Sequence, residues 1–304
     1  MAPFFSKLPR RLIAMAACGT ADYWARALAA MGHEVRLIPP SSVKADVKRG
    51  KSDAFDAEAI CEAVQRPAMR FVPVKTVEQQ SILMAHRARS LRVRQRAMLA
   101  NALRAHLAEL GLVANPGIAN LAKLAQQALS DENGSPSYAR PTLEALVRQI
   151  MTLSEEITAL DRKLLAWHAE NEVSQRLTAI AGLGIVTATA IAATVTDPDQ
   201  FRSGRQFAAW LGLTPQQHST GGKTQLGGIS KPGDRYRRRL LVVGATAVIR
   251  HTKDKPTPLA NWIRKLLVKK PFRVVSVALA NKLARIAWVV LTRKEAYRPD
   301  QLAA

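Results

Sequence analysis

From Leu143 to Trp167 the apolar residues recur at alternating intervals of three and four: Leu143, Leu146, Ile150, Leu153, Ile157, Leu160, Leu164 and Trp167. Only a helix gathers such positions into one stripe, and a stripe sustained for about three and a half heptads must be covered by another helix. One candidate lies in the same chain, an arginine-rich helical stretch from about Val77 to Leu110; a second chain would serve as well. A long helical segment with a coiled-coil seam is therefore expected over 76–172. Pro141 suits the first turn of its second helix, and a loop rich in Gly, Pro, Asn and Ser separates the two.

The flanks read differently. In residues 1–75, "RLIAMAA" reads as a buried strand and "TADYWARALAAMG" as an amphipathic helix stopped by Gly32. "HEVRLIPP" is a second strand, closed by two prolines that cannot donate in a sheet ladder, and another helix begins near Asp53. Strand, helix, strand, helix implies an α/β unit with a parallel sheet. Residues 173–304 read as mainly helical, with "LLVVGATAVI" as a buried helix.

The formal charge of +22 and a pI near 10.8 fit a polyanionic partner, most simply nucleic acid. The charge is uneven: Gly221 to Ala304 holds 19 Lys/Arg against 4 Asp/Glu. The apolar start "MAPFFSKLPRRLIAMAACGTA" runs on into an ordinary helix and strand, which argues against a secretory signal, and no run approaches the roughly 20 uninterrupted apolar residues of a membrane span. Cys18 and Cys61 have neither metal-ligand spacing nor a disulfide framework, so a reducing cytoplasm is expected.

Four groups of residues could carry chemistry. Gly182-Leu183-Gly184 separates two apolar helical runs, the pattern of a helix-hairpin-helix whose glycines and second helix start approach a phosphate. Arg89, Arg92 and Arg96 belong to a stretch with no acid between Glu78 and Glu109 to balance it. The loop "QQHSTGGKTQLGGISKPGDRYRRR" mixes hydroxyls with Lys223, Lys231, Arg235, Arg237, Arg238 and Arg239, and His218 adjoins it as a possible base. A hydroxyl must be activated and brought to phosphate by donors and positive charge before it can attack. Finally, Asp53 and Asp56 share one helix face, half of a metal site.

Three blocks carry a family resemblance: "GHEVRLIPPSSVKADVKRGKSDAFDAEAICEAV", the glycine turn, and "RSGRQFAAWLGLTPQQHSTGGKTQLGGISKPGDRYRRRLLVVGA". The chain resembles the DEDD transposases of the insertion-sequence-110 family from about Phe4 to Tyr297. That resemblance implies an amino-terminal RuvC-like domain of RNase H fold, a coiled-coil segment and a carboxy-terminal transposase domain. It also implies divalent metal, as Mg2+, held by four acids, a serine that attacks the DNA backbone, and in some members a structured guide RNA. Asp53 and Asp56 match the third and fourth acids as catalytic metal ligands. The family serine aligns with Thr220, with Ser219 just before it and Ser230 as a further candidate.

The match has a gap. Members read Met-Glu-Ala-Cys-Gly at the strand end, whereas this chain reads Met15-Ala16-Ala17-Cys18-Gly19. The first acid would belong to a strand upstream of Met1, so the resemblance implies a RuvC-like remnant lacking its first strand. Asp22, Glu34 and Glu58 are nearby acids, none at the position of a family ligand. The expectation is a transposase that binds DNA and forms oligomers through its coiled coil, with metal-assisted cleavage and rejoining impaired. Rival readings are a working recombinase with its first acid from a partner or an upstream start, a non-cutting regulator of element DNA or RNA, and a Holliday-junction nuclease.

Overall fold

The computed structural model describes residues 2–43, 52–113, 115, 117–130, 136–252, 255–295 and 297. It opens with a short helix α1 (Ala2–Phe5), then β1 (Leu12–Ala16), α2 (Ala21–Ala30) and β2 (Glu34–Ile38). The strands pair in parallel with Leu12 opposite Glu34 and Ala16 opposite Ile38. Gly32 takes φ 91°, a value open to glycine, and turns the chain from α2 into β2. Next come α3 (Pro40–Val43) and α4 (Asp53–Val64); α4 buries Ala59 and Ala63 against Ile38 and Val43. A lone antiparallel bridge from Val72 to Leu37 is the only further pairing of this sheet among the described residues.

Thr76 and Gln79 exchange side-chain and backbone hydrogen bonds in a capping box that starts α5 (Val77–Glu109). A helix the sequence reading had placed in a loop follows, α6 (Ile118–Leu129), with Leu121, Ala125 and Ala128 buried. Then α7 (Arg140–Glu170) runs back along α5, with Pro141 in its first turn as expected. The heptad seam is covered inside the chain: Leu143 and Ile150 pack with Ala100, Leu103 and Leu107 of α5, and Ile157 and Leu164 are also buried. Of the two partners the sequence allowed for the seam, the helix of the same chain covers it.

The carboxy-terminal unit comprises α8 (Glu172–Thr178), α9 (Ile185–Ala192), a 3-10 turn (Pro198–Gln200), α10 (Gly204–Trp210), β3 (Pro215–Gln217), β4 (Leu226–Ile229), α11 (Arg235–Thr252), α12 (Pro258–Leu267) and α13 (Phe272–Arg293). One core unites Leu177, Ile191, Phe207, Leu241, Val248, Leu279 and Leu283, with Trp262, Phe272 and Trp288 packed around it. The apolar run in α11 is buried on one face only, since Val243 is 61% exposed while Leu241 and Ala245 are sealed. By length and apolarity α13 could cross a membrane, but its apolar residues from Val275 to Leu291 are used in this core.

Candidate nucleic-acid interface and acid remnant

The segment read from sequence as a loop is a β-hairpin. β3 and β4 pair antiparallel, and Thr220 bridges Lys223 around Gly221 and Gly222, whose φ values of 56° and 75° suit a two-residue turn. Ser219 Oγ accepts hydrogen bonds from Gln217 Nε2 (2.9 Å) and the Gln225 N–H (3.2 Å), so it is held in place with its own proton still to donate. Thr220 and His218 are exposed on the same hairpin. Ser230 sits at the hairpin base instead, its Oγ buried and without a hydrogen-bond partner.

The six cations of this region divide by role. Lys223, Lys231 and Arg235 are exposed and make no ion pair among the described residues. Arg237 turns inward: its guanidinium donates to Thr194 Oγ1 (2.6 Å), lies 3.4 Å from Asp234 Oδ2 and stacks over Trp210. Burial pulls the pKa of Arg237 down, against the opposing pull of Asp234. Arg238 donates to the carbonyls of Leu211 and Pro232, tying the hairpin base to the end of α10. Asp234 Oδ1 receives the N–H groups of Tyr236 and Arg237 and so caps the start of α11.

The arginines of α5 find counter-charges across the hairpin. Arg89 grips Asp161 through Nε (2.5 Å) and Nη2 (3.3 Å), Arg92 pairs with Glu156, and Arg96 donates to Ser154 Oγ (3.2 Å). The balancing acids that the local sequence lacked come from α7. Arg87 and Arg94 point outward instead. The sequence reading counted them in the arginine-rich helix but chose Arg89, Arg92 and Arg96 as the contacts, whereas the heptad phase that aims Arg89 and Arg92 at α7 leaves Arg87 and Arg94 on the outside.

His86 was also missed. It is 1% exposed and joins three elements, with Nδ1 3.1 Å from Tyr236 Oη and Nε2 3.1 Å from Thr189 Oγ1. Burial, and next the Arg89 charge, push its pKa down to about 4, so it is neutral at pH 7. Arg239 adds a second link from α11 to α5 by donating to Ser90 Oγ at 3.2 Å. The arginine helix and the basic start of α11 therefore meet in one surface region.

The glycine turn has a structural use. A Cβ on Gly182 (φ 94°) would stand 2.8 Å from Val248 Cγ2, and one on Gly244 would collide with the Gly182 carbonyl. The turn is pressed against α11, backbone to backbone. Gly184 faces open space just before α9 and is the half of the turn that a phosphate could approach.

Asp53 and Asp56 lie in the first turn of α4 and are exposed. Ala16, at the position where the resemblance implies a glutamate, ends β1. Asp22 is engaged elsewhere, accepting from the Lys75 N–H (2.9 Å) and Gln80 Nε2 (3.0 Å), and Glu34 pairs with Arg36. Among the described residues no three His, Cys, Asp or Glu side chains are grouped to hold a metal. A catalytic divalent ion needs several converging oxygen ligands, and the donors among the described residues do not supply them.

Residues 6–111 match a family model for transposases of the DEDD, IS110 type, and residues 174–258 match the model described as the IS116/IS110/IS902 transposase family. A probable family 20 transposase of Pseudomonas aeruginosa is 49% identical over 298 residues, spanning 97% of this chain and 88% of the relative. The transposase for insertion sequence element IS1328 of Yersinia enterocolitica is 41% identical, over 95% and 86% of the two chains. The transposase for insertion sequence element IS1111A of Coxiella burnetii is 39% identical, over 94% and 79%.

Proposed function

The chain belongs to the IS116/IS110/IS902 family of insertion-sequence transposases, and from that premise we propose that it binds the DNA of its element but is impaired in cutting it. The observation that carries the binding half is the placement of Lys223, Lys231 and Arg235, exposed and unpaired, around a hairpin that holds the Ser219 hydroxyl in position. Exposed cations cost the fold nothing to direct at phosphates, whereas those already paired with carboxylates would first have to be released. Arg237 and Arg238 act as positioning residues that fix the hairpin base to α9 and α10. Arg89, Arg92 and Arg96 serve the α5–α7 pairing, with Arg87 and Arg94 available to a backbone lying along α5.

Ser219 and Thr220 are the accessible hydroxyls for attack on a phosphodiester, with exposed His218 beside them to take the proton. Ser230 contributes to the hairpin base. The cutting half of the proposal rests on Ala16 and on the absence of a third ligand grouped with Asp53 and Asp56 among the described residues.

Binding is tested by anisotropy with labelled duplex DNA across a salt series. Lys223→Gln with Arg235→Gln is expected to weaken binding several-fold and make log K against log salt shallower by about 2, since each neutralised phosphate contributes roughly 0.9. Unchanged affinity and slope in a folded double variant would remove the hairpin from the interface.

A further inference from the structure

At the end of α10 away from the hairpin, the helix start and the outer face of α13 enclose a cleft of about 350 Å³ whose walls include Ser203, Arg205, Lys282, Arg285 and Trp288. Gly204 makes this closeness possible: a Cβ there would stand 3.1 Å from Arg285 Cα, so the two backbones are nearly in contact. Arg205 is thereby brought beside Arg285, with Lys282 one helical turn away on the same side of α13. Three cations converge, and none has a carboxylate partner among the described residues. Asp199 lies on the neighbouring 3-10 turn, and Asp197 caps that turn, its Oδ1 accepting from the Asp199 N–H at 2.9 Å.

We propose that this cleft binds the phosphodiester backbone of duplex DNA, at a contact separate from the hairpin; the inference rests on the DNA-binding reading above. Like charges gathered without counter-ions repel, and a polyanion relieves that repulsion. The cleft has one aromatic lining residue, Trp288, and the ring nearest Lys282 is Trp262 outside the lining; both are engaged within the protein, which favours a duplex over unstacked single strands. Trp288 Nε1 donates to the Pro198 carbonyl (3.2 Å), and the Lys282 ammonium covers the Trp262 ring at 5.3 Å, so neither ring is presented as a stacking platform. From Gly204 to Trp210 α10 rises about 9 Å, with the cleft at its start and the hairpin base tied to its end by Arg238.

The test uses the full chain and a labelled 30-base-pair duplex of arbitrary sequence, with the same sequence as duplex RNA and as single strands in parallel. The triple variant Arg205→Gln, Lys282→Gln, Arg285→Gln is expected to bind duplex DNA at least tenfold more weakly at about 0.1 M salt. Its log K against log salt should be shallower by about 2.7, corresponding to three lost phosphate contacts. Should the triple variant fail to fold, the exposed pair Arg205→Gln and Arg285→Gln gives the same readout with a change of about 1.8. Duplex DNA binding unchanged in affinity and slope overturns the inference, as does a loss confined to RNA or single strands. If the hairpin variants weaken DNA binding and the cleft variants do not, only this inference falls. A wild-type chain that does not bind duplex DNA removes the hairpin reading together with it.

Discussion

The carboxy-terminal unit and the amino-terminal sheet unit use their charged residues in opposite ways. In the first, a core running from Leu177 to Leu291 closes without the outward cations, which leaves Lys223, Lys231 and Arg235 available. In the second, two small clusters flank a two-stranded sheet, and the acids are divided between structural contacts and an isolated pair. Asp22 holds the Lys75–Gln80 segment and Glu34 holds Arg36, while Asp53 and Asp56 stand exposed. Phosphate binding adds up over many weak contacts and survives the loss of one. A metal site needs several ligands at once, which is why the proposed impairment turns on Ala16.

The largest expected effect separates the two units by stability. Gly244→Val drives a side chain into the Gly182 carbonyl, where backbone meets backbone and nothing flexible can yield. A loss of about 3 kcal/mol or more is expected, read as a lowered thermal midpoint with α5–α7 retained by circular dichroism. A midpoint equal to that of the wild type would mean that the contact between the glycine turn and α11 does not carry the unit.

The next sharpens the joint between the regions. His86 has a folded pKa of about 4, below the ordinary 6.5, so the unfolded chain binds more protons between those values. Stability is full above about pH 6.5 and falls as pH drops towards 4, by about 3 kcal/mol in total. Urea midpoints measured across this window should show that slope in the wild type and lose it in His86→Ala, which is weaker at pH 7 because Tyr236 and Thr189 lose a partner. A slope that persists in the variant would assign the titration to another group.

Smaller effects follow. Asp161→Asn removes the charge facing Arg89; because both side chains are partly exposed, a change of about 0.5–1 kcal/mol in unfolding free energy is expected. Asp53→Ala should alter stability by no more than about 0.5 kcal/mol and leave DNA affinity unchanged, since the residue is exposed on α4. A large change in either quantity would mean that Asp53 has a partner important to the fold or to DNA.

Much of this was legible where the signal is local and periodic. The two parallel strands, the helix stopped by Gly32 and the seam from Leu143 to Trp167 follow from local apolar runs and spacing, and the seam's partner was narrowed to two. Three features were missed. α6 does carry a helical apolar spacing, Ile118, Leu121, Ala125 and Ala128, but it lies between Gly- and Pro-containing turns and was read with them as one loop. The hairpin strands are built from Gln, Gly and Pro, which hide the usual alternation of a strand. The counter-charges of Arg89 and Arg92 lie 72 and 64 residues away, and the partners of His86 lie 103 and 150 away, beyond any local window. At the site, the acids and the hydroxyl loop were found through resemblance, while the division of its cations into exposed and internal ones needed the packing.

The central proposal is that the chain binds its element's DNA with cutting impaired, and one gel tests it. The chain is incubated with duplex DNA from its element's ends in magnesium, with Asp53→Ala and Lys223→Gln/Arg235→Gln alongside, and bound and cleaved species are read together. The account predicts DNA that is shifted but intact, with the shift weakened by the hairpin pair and unaffected by Asp53→Ala. Nicked or rejoined DNA that disappears with Asp53→Ala would contradict it, and would mean that the acid site is completed by a ligand outside the described residues.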